Sequence, residues 1–428
     1  MHHVVLGAGP AGVTAVETLR KHAPKAEITL IGGEPEPPYS RMAIPYLLEG
    51  KIGEHGTYLR QDEGHYQAKG IVYKQGPVTR LDTAAKSVTC ADGSAVSYDK
   101  LLIATGATPT RPPIEGLDCP GVHNCWTLED ARHIAKLGKP GTPVVLVGAG
   151  FIGCIILEAL AKMGVNLTVI EMGDRMVPRM LDETAGNMLR RWCEEKGVRV
   201  LTGATVKSIA QGAGGPLTVT LGDGQKFPAA LVVVAAGVKS NMAFLDGSGL
   251  STGRGIKVDS FFATSQADVF AAGDVAEGLD ISTGQVDMLA IQPVAVEHGY
   301  MAALNMCGIP TRHRGSLNMN VLDTLGLISS SFGLWQGVKG GARARMVDEA
   351  GYRYIHLEFE EDRLIGAQCV GMTDHIGMLR GLIQTGLPLG DWKERLIAAP
   401  ERVQEAYVSV SQGRPIAGPT ARNVALPA

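Results

Sequence analysis

Six glycines and two carboxylates carry the clearest chemistry. Gly7, Gly9 and Gly12 stand in the order GxGxxG, with Pro10 and Ala11 between them. Gly148, Gly150 and Gly153 repeat the order around Phe151 and Ile152. In such a turn the first glycine permits the tight bend. The second lets backbone approach a pyrophosphate, and the third lets the following helix lie on the strand. Unpaired N–H groups at the helix N-terminus then hold the phosphates. Glu34 and Glu171 follow at the distance where a carboxylate accepts the ribose hydroxyls of a dinucleotide. Two such sets imply two dinucleotides. A flavin with a nicotinamide is the economical pairing, because hydride passes directly between them.

The elements that must position these residues repeat as well. Val4 to Glu34 and Val144 to Glu171 each read as strand, glycine turn, amphipathic helix, strand and acid. Val13, Val16 and Leu19 mark one face of the first helix. Short strands with turn signals follow each copy, from Ile71 to Tyr98 and from Val198 to Phe227. Each copy then returns through an apolar strand ending in small residues, Leu101 to Gly106 and Leu231 to Gly237. Parallel strands buried on both faces have this look. Beyond about residue 312 the glycine turns stop. Tyr352 to Phe359 alternates like an antiparallel strand, and Met378–Thr385 and Trp392–Ala399 read as helices. The tail from Gly413 is rich in Pro, Gly and Ala, and is either disordered or docked on a partner.

Composition narrows the class. With 45% hydrophobic residues in 428, the chain has apolar material for large cores and is not disordered overall. Lys plus Arg is 40 against 43 Asp plus Glu, so no charge excess points to nucleic acid or an anionic membrane. Seven cysteines are widely spaced, without a CxxC pair or a histidine completing a zinc pattern. This reads as a reduced, cytoplasmic protein with no bound metal and no iron–sulfur ligation of its own. The N-terminus enters a strand at once, with no secretory signal ahead of it. Pro140 to Leu157 is uncharged and long enough to imitate a membrane span, but its β-branched first half and central glycines read as strand and turn.

Taken together, the two glycine turns, Ala104-Thr105-Gly106, Ala236-Gly237-Val238 and Val269-Phe270-Ala271-Ala272-Gly273-Asp274 resemble the FAD-dependent pyridine nucleotide oxidoreductases. Ferredoxin and rubredoxin reductases, NADH oxidases and the flavin part of nitrite reductases belong there, as do FAD subunits of larger complexes such as aldehyde oxidoreductases. The resemblance implies an α/β fold with two Rossmann-like dinucleotide-binding domains of the glutathione-reductase type and a C-terminal α+β interface domain. The FAD domain would comprise 1–111 and 243–312, the NAD domain 112–242 and the interface domain 313–428. Asp274 would meet the ribityl chain of FAD. The helix beginning at Gln292-Pro293 would point its N–H groups at the flavin pyrimidine. Arg41 would contact an FAD phosphate, the other reading being a surface arginine. Glu171 would favour NAD over NADP, with Arg175 placed to soften that choice.

Two departures shape the functional expectation. Met42 stands in Ser40–Tyr46 where disulfide reductases of this fold carry the redox cysteine, and methionine forms no thiolate. Ferredoxin reductases pair a lysine near the flavin with a glutamate after the second glycine motif; those places hold Tyr46 and Ile155. Tyr46 is the candidate catalytic residue, stacked near the nicotinamide, unless it is ordinary core. The expected activity is exchange of a hydride between NAD(H) and FAD, with electrons passed singly to a redox partner, an iron–sulfur protein or subunit. An NADH oxidase discharging onto oxygen or a small molecule is the alternative, and an FAD/NAD-binding redox sensor the non-enzymatic one. An oligomer or complex subunit is expected.

Overall fold

Valine-, isoleucine- and leucine-rich runs of three to six residues form the central strands of two parallel sheets. In this computed structural model, which describes residues 1–212 and 215–412, His2–Leu6 lies between Glu27–Gly32 and Lys100–Ile103. Ile71–Gln75 and Val269–Ala271 complete the first five-stranded parallel sheet. In the second, Pro143–Val147 lies between Asn166–Ile170 and Leu231–Val234, flanked by Arg199–Leu201 and Val122–His123. The glycine-turn strand is central in both, so the sequence repeat is a structural repeat. Val4, Val5, Leu101 and Leu102 are fully buried, as are their counterparts Val232 and Val233. Helices on both sheet faces demand such uninterrupted apolar strands.

The first unit carries α1 (Pro10–His22), α2 (Ile44–Leu48) and α3 (His65–Ala68). The second carries α4 (Leu128–Leu137), α5 (Phe151–Lys162) and α6 (Glu183–Glu195). The uncharged stretch from Pro140 is therefore a strand, a turn and the start of α5. Among the described residues no helix is long and apolar enough to cross a membrane. Each unit adds a three-stranded antiparallel sheet, as its turn signals anticipate. Helix α7 (Gln292–Met306) returns to the first unit and packs on α1. The two come so close that a Cβ on Gly299 would lie 2.2 Å from the Ala11 carbonyl oxygen.

The third part is a five-stranded antiparallel sheet in the order Met319–Thr324, Leu327–Gly333, Arg363–Val370, Arg353–Glu360, Ala342–Asp348. Helices α8 (Ile376–Thr385), α9 (Trp392–Ala398) and α10 (Val403–Gln412) bury Leu379, Leu382, Leu396 and Val403 against one face. On the other face Leu322, Leu327, Tyr354 and Val370 join the core of the second unit. The tail from Gly413 lies outside the described residues.

Buried histidines give the first unit an acid weakness. His298 on α7 is 1% exposed, with its ring against Phe262 and His313 and neither nitrogen hydrogen-bonded. Burial drives its pKa down to about 3, and the neighbouring His313 adds to the shift. Unfolded, the same ring takes up a proton near 6.5. Its contribution to stability is thus complete above pH 6.5 and is lost as the pH falls toward 3. The loss is about 1.4 kcal/mol per pH unit, or about 2 kcal/mol by pH 5. Urea unfolding of wild type and His298→Leu between pH 7 and 5 should show the variant's stability falling less steeply, by about one proton. Parallel slopes would contradict this account.

Candidate functional site

Among the described helices of twelve or more residues, three begin without a side-chain cap, α1 after Gly9, α5 after Gly150 and α7 after Ile291, as does the ten-residue α8. By contrast, Thr127 caps α4 and Asp182 caps α6. The free first-turn amides of α1 and α5 belong to the two glycine turns, where an anion can satisfy them. Both turns are held alike. The Gly7 N–H donates to the Ile31 carbonyl, and the Ala104 N–H to the Leu6 carbonyl. The Gly148 N–H donates to Ile170, and the Ala235 N–H to Val147. A Cβ on Gly9 or Gly150 would meet no atom within 4 Å. An open cradle beside uncapped amides fits a pyrophosphate in each unit, which is what FAD and NAD require.

Around the first turn the sheet brings Gly7, Gly9, Gly12, Ala104-Thr105-Gly106 and Asp274 to one end. Asp274 follows the strand Val269–Ala271, and the Ala272 N–H donates to the Ile103 carbonyl. Burial raises the Asp274 carboxyl above its ordinary range, while the Arg41 charge pulls it back. Thr105 and Asn241 exchange two hydrogen bonds of 2.9 Å, clipping the segment after the strand Val238–Ser240 onto the first unit. No motif singled out Asn241.

Glu34 and Arg41, expected on ribose and phosphate, engage each other. The Arg41 guanidinium and the Tyr39 hydroxyl each donate to a Glu34 oxygen at 2.5 Å. Arg41 also donates to the Trp126 carbonyl at 2.7 Å and lies over the Trp126 ring. It is half-buried and tied down, not a free surface arginine. Ser40 Oγ donates to Gln292 Oε1 at 2.8 Å, joining this loop to the uncapped start of α7, where Gln292 and Pro293 stand.

In the second unit Glu171 is buried. It accepts the Ala149 N–H at 2.6 Å and the Gly173 N–H at 2.7 Å, one on each carboxylate oxygen. The carboxylate braces the glycine turn from below, a role the motif does not announce. Arg175 is engaged within the loop, on Asp174 and the Leu181 carbonyl. A small apolar pocket beside the turn is lined by Trp126, Ile152, Val234, Gly237 and Val238.

Tyr46 on α2 is 51% exposed, which removes the ordinary-core reading, and Met42 is 49% exposed. The Lys51 ammonium lies 5.5 Å from the centre of the Tyr46 ring. Lysine and glutamate are not absent from this corner. Glu49, nearly buried, meets Lys51 at 2.6 Å and Lys162 at 3.4 Å, and Lys162 also pairs with Glu158. Ile155, Glu158 and Lys162 share one face of α5. An ion-pair network thus joins the end of α2 to α5, with Glu158 one turn and Lys162 two turns beyond Ile155. Among the described residues no group of three or more His, Cys, Asp or Glu is arranged to hold a metal.

Residues 1–299 match the family model described as pyridine nucleotide-disulphide oxidoreductase. The chain is 30% identical to the NADH-dependent phenylglyoxylate dehydrogenase subunit epsilon of Aromatoleum evansii, over 95% of this chain and 97% of that protein. It is 34% identical to the ferredoxin–NAD(+) reductase component of the biphenyl dioxygenase system of Paraburkholderia xenovorans, over 64% of this chain and 66% of that one. The solved structure of an NAD-dependent persulfide reductase from A. fulgidus superposes with a TM-score of 0.84 at 29% identity, covering 91% of this chain and 78% of that one. The chain belongs to the pyridine nucleotide-disulphide oxidoreductase family, whose members are FAD-dependent NAD(P)H oxidoreductases.

Proposed function

We propose that this enzyme carries electrons from NADH through FAD to an iron–sulfur protein, as one subunit of a larger electron-transfer complex. FAD supplies the conversion of a two-electron hydride into single electrons. The uncapped start of α1 and the Gly7–Gly12 turn hold its pyrophosphate, Glu34 its ribose and Asp274 its ribityl chain. Arg41 orders that carboxylate from the side. The N-terminus of α7, tied to Ser40, faces the flavin pyrimidine. The Gly148–Gly153 turn and Glu171 hold NADH, and Tyr46 with Met42 forms the exposed rim where the two cofactors meet. Residues 1–111 with 243–312, 112–242 and 313–428 are the FAD, NAD and interface domains of this reading. The free cysteines suit the reducing cytoplasm.

One observation carries the flavin-only route: the seven cysteines are all free, with no disulfide among the described residues. Burial pushes the Cys125, Cys193 and Cys369 thiols up to about 12 and Cys154 well above its ordinary value. Met42 fills the exposed loop position. Anaerobic titration should therefore bleach the flavin with about one NADH per FAD, since no disulfide absorbs a second pair. Prior alkylation should leave that reduction intact. A [2Fe–2S] ferredoxin should reoxidise the reduced protein faster than oxygen does. Two NADH per FAD would overturn the flavin-only route, and oxygen as the fastest acceptor would move the assignment to an oxidase.

A further inference from the structure

The loop from Glu171 to Leu181 grips the second glycine turn at both groups of one residue. The Ala149 N–H donates to Glu171, and the Ala149 carbonyl accepts the Val177 N–H at 2.8 Å. Val177 makes this second bond in the left-handed region, φ 49°, although it is β-branched and buried. Such a conformation persists only where its surroundings over-determine it. The Val177 carbonyl accepts the Met180 and Leu181 N–H groups, and Arg175 Nε donates to the Leu181 carbonyl at 2.9 Å. Everything in this loop then runs into Asp182.

Asp182 is held from the C-terminal sheet. Its N–H donates to Gln368 Oε1 at 3.0 Å. One carboxylate oxygen caps α6 through the Ala185 N–H. The other takes the Tyr354 hydroxyl and faces His356 Nδ1 at 3.2 Å, with Arg345 at 3.6 Å. His356 Nε2 meets the fully buried Glu358 at 2.7 Å. Gln368, His356 and Arg345 are direct neighbours across three strands. Adhesion alone does not need this network. Leu322, Leu327 and Val370 already join the sheet to the second unit, and apolar residues replace buried ion pairs without loss of stability. In some proteins a buried polar network adds to apolar contact one defined register, and that is the role inferred for this one.

We propose that Tyr354, His356 and Gln368 of the C-terminal sheet are positioning residues for the nicotinamide nucleotide. By fixing Asp182 they fix the Glu171–Leu181 loop, and through Ala149 the turn on which the pyrophosphate rests. This rests on the reading of Gly148–Gly153 as the NAD turn.

The test uses the FAD-loaded full chain. Asp182→Asn keeps a helix cap and loses the charge, while Tyr354→Phe removes one hydroxyl and is the safer variant for folding. Hydrogen–deuterium exchange without nucleotide is read on peptides spanning Val147–Phe151 and Glu171–Asp182. Both variants should exchange there about tenfold faster, and calorimetry should show NAD+ binding weakened by about the same factor, with FAD content unchanged. The double variant should lose less than the sum of the singles, because both act on one carboxylate. A lower melting temperature with unchanged exchange and NAD+ affinity would overturn the proposal, leaving the network as domain adhesive. Gly150→Val separates the underlying reading: NAD+ binding that survives it would remove the turn as the nucleotide site and the proposal with it.

Discussion

Gly12→Ala should abolish folding of the first α/β unit, whereas Gly9→Val should fold and purify without FAD. The two glycines are three residues apart, but their surroundings differ in kind. A Cβ on Gly12 would lie 1.9 Å from the Gly7 carbonyl oxygen. That atom cannot retreat, because Gly7 is itself locked at φ 103° with its own Cβ direction 2.0 Å from the Ala104 carbonyl oxygen. Ordinary overpacking costs about 1–3 kcal/mol because side chains give way. Here only backbone of the central strands could move, which puts at risk the whole ~5–15 kcal/mol of a domain. Gly9 has no atom within 4 Å, so valine there meets nothing but the cofactor. Circular dichroism and flavin absorbance separate the two outcomes. Gly9→Val with stoichiometric FAD would remove the first turn as the FAD site. The second turn should behave in parallel, with Gly150→Val yellow but not reduced by NADH.

Asp274→Ala should lower FAD affinity by roughly 10- to 150-fold. The carboxylate sits at the end of the first sheet, with burial opposing its charge and Arg41 supporting it. A bound ribityl hydroxyl would donate to it, and a hydrogen bond to a charged group contributes about 1.5–3 kcal/mol. Asp274→Asn keeps an acceptor of the same shape and should lose less. Ser240→Ala serves as the control, since Ser240 Oγ donates only to the Asp274 main-chain carbonyl and the Met288 sulfur. It should leave flavin binding close to wild type. Equilibrium dialysis of the apoproteins against FAD gives the constants. An Asp274→Ala protein with wild-type affinity would make Asp274 an ordinary turn residue after its strand.

The same contrast between neighbours marks how far residue types lead. Glu34 and Glu171 read alike in sequence, each an acid closing a strand–turn–helix–strand unit. Folded, Glu34 is half-exposed and shared between Tyr39 and Arg41, while Glu171 is buried beneath Ala149 and Gly173. The two loops that leave these acids make the difference. In one loop the cation, Arg41, pairs with the acid, while in the other Arg175 pairs with Asp174 and the loop folds back under the turn. Tyr46 and Ile155 likewise suggested a missing ion pair. A separate ion-pair network of Glu49, Lys51, Glu158 and Lys162 lies nearby, with Glu49 and Lys51 just past the end of α2, and motif alignment passes over it.

What the residues determined by themselves was local and steric. Glycines that admit no Cβ, apolar runs that need two covered faces, and the period of an amphipathic helix all act within about 30 residues, so the two dinucleotide units and their order were legible from the chain. Met42 in place of a cysteine was equally plain, because a missing thiolate needs no geometry to be missed. Only the tertiary structure decided which polar groups meet. Ser40 reaches Gln292 across 252 residues, Thr105 reaches Asn241 across 136, and Asp182 reaches His356 across 174. A hydrogen bond tolerates a few tenths of an ångström, and that precision is set by the packing of whole units on one another. No period in the chain encodes it, which is why the glycine turns could be read from the chain and the hydrogen bonds that join Asp182 to the C-terminal sheet could not.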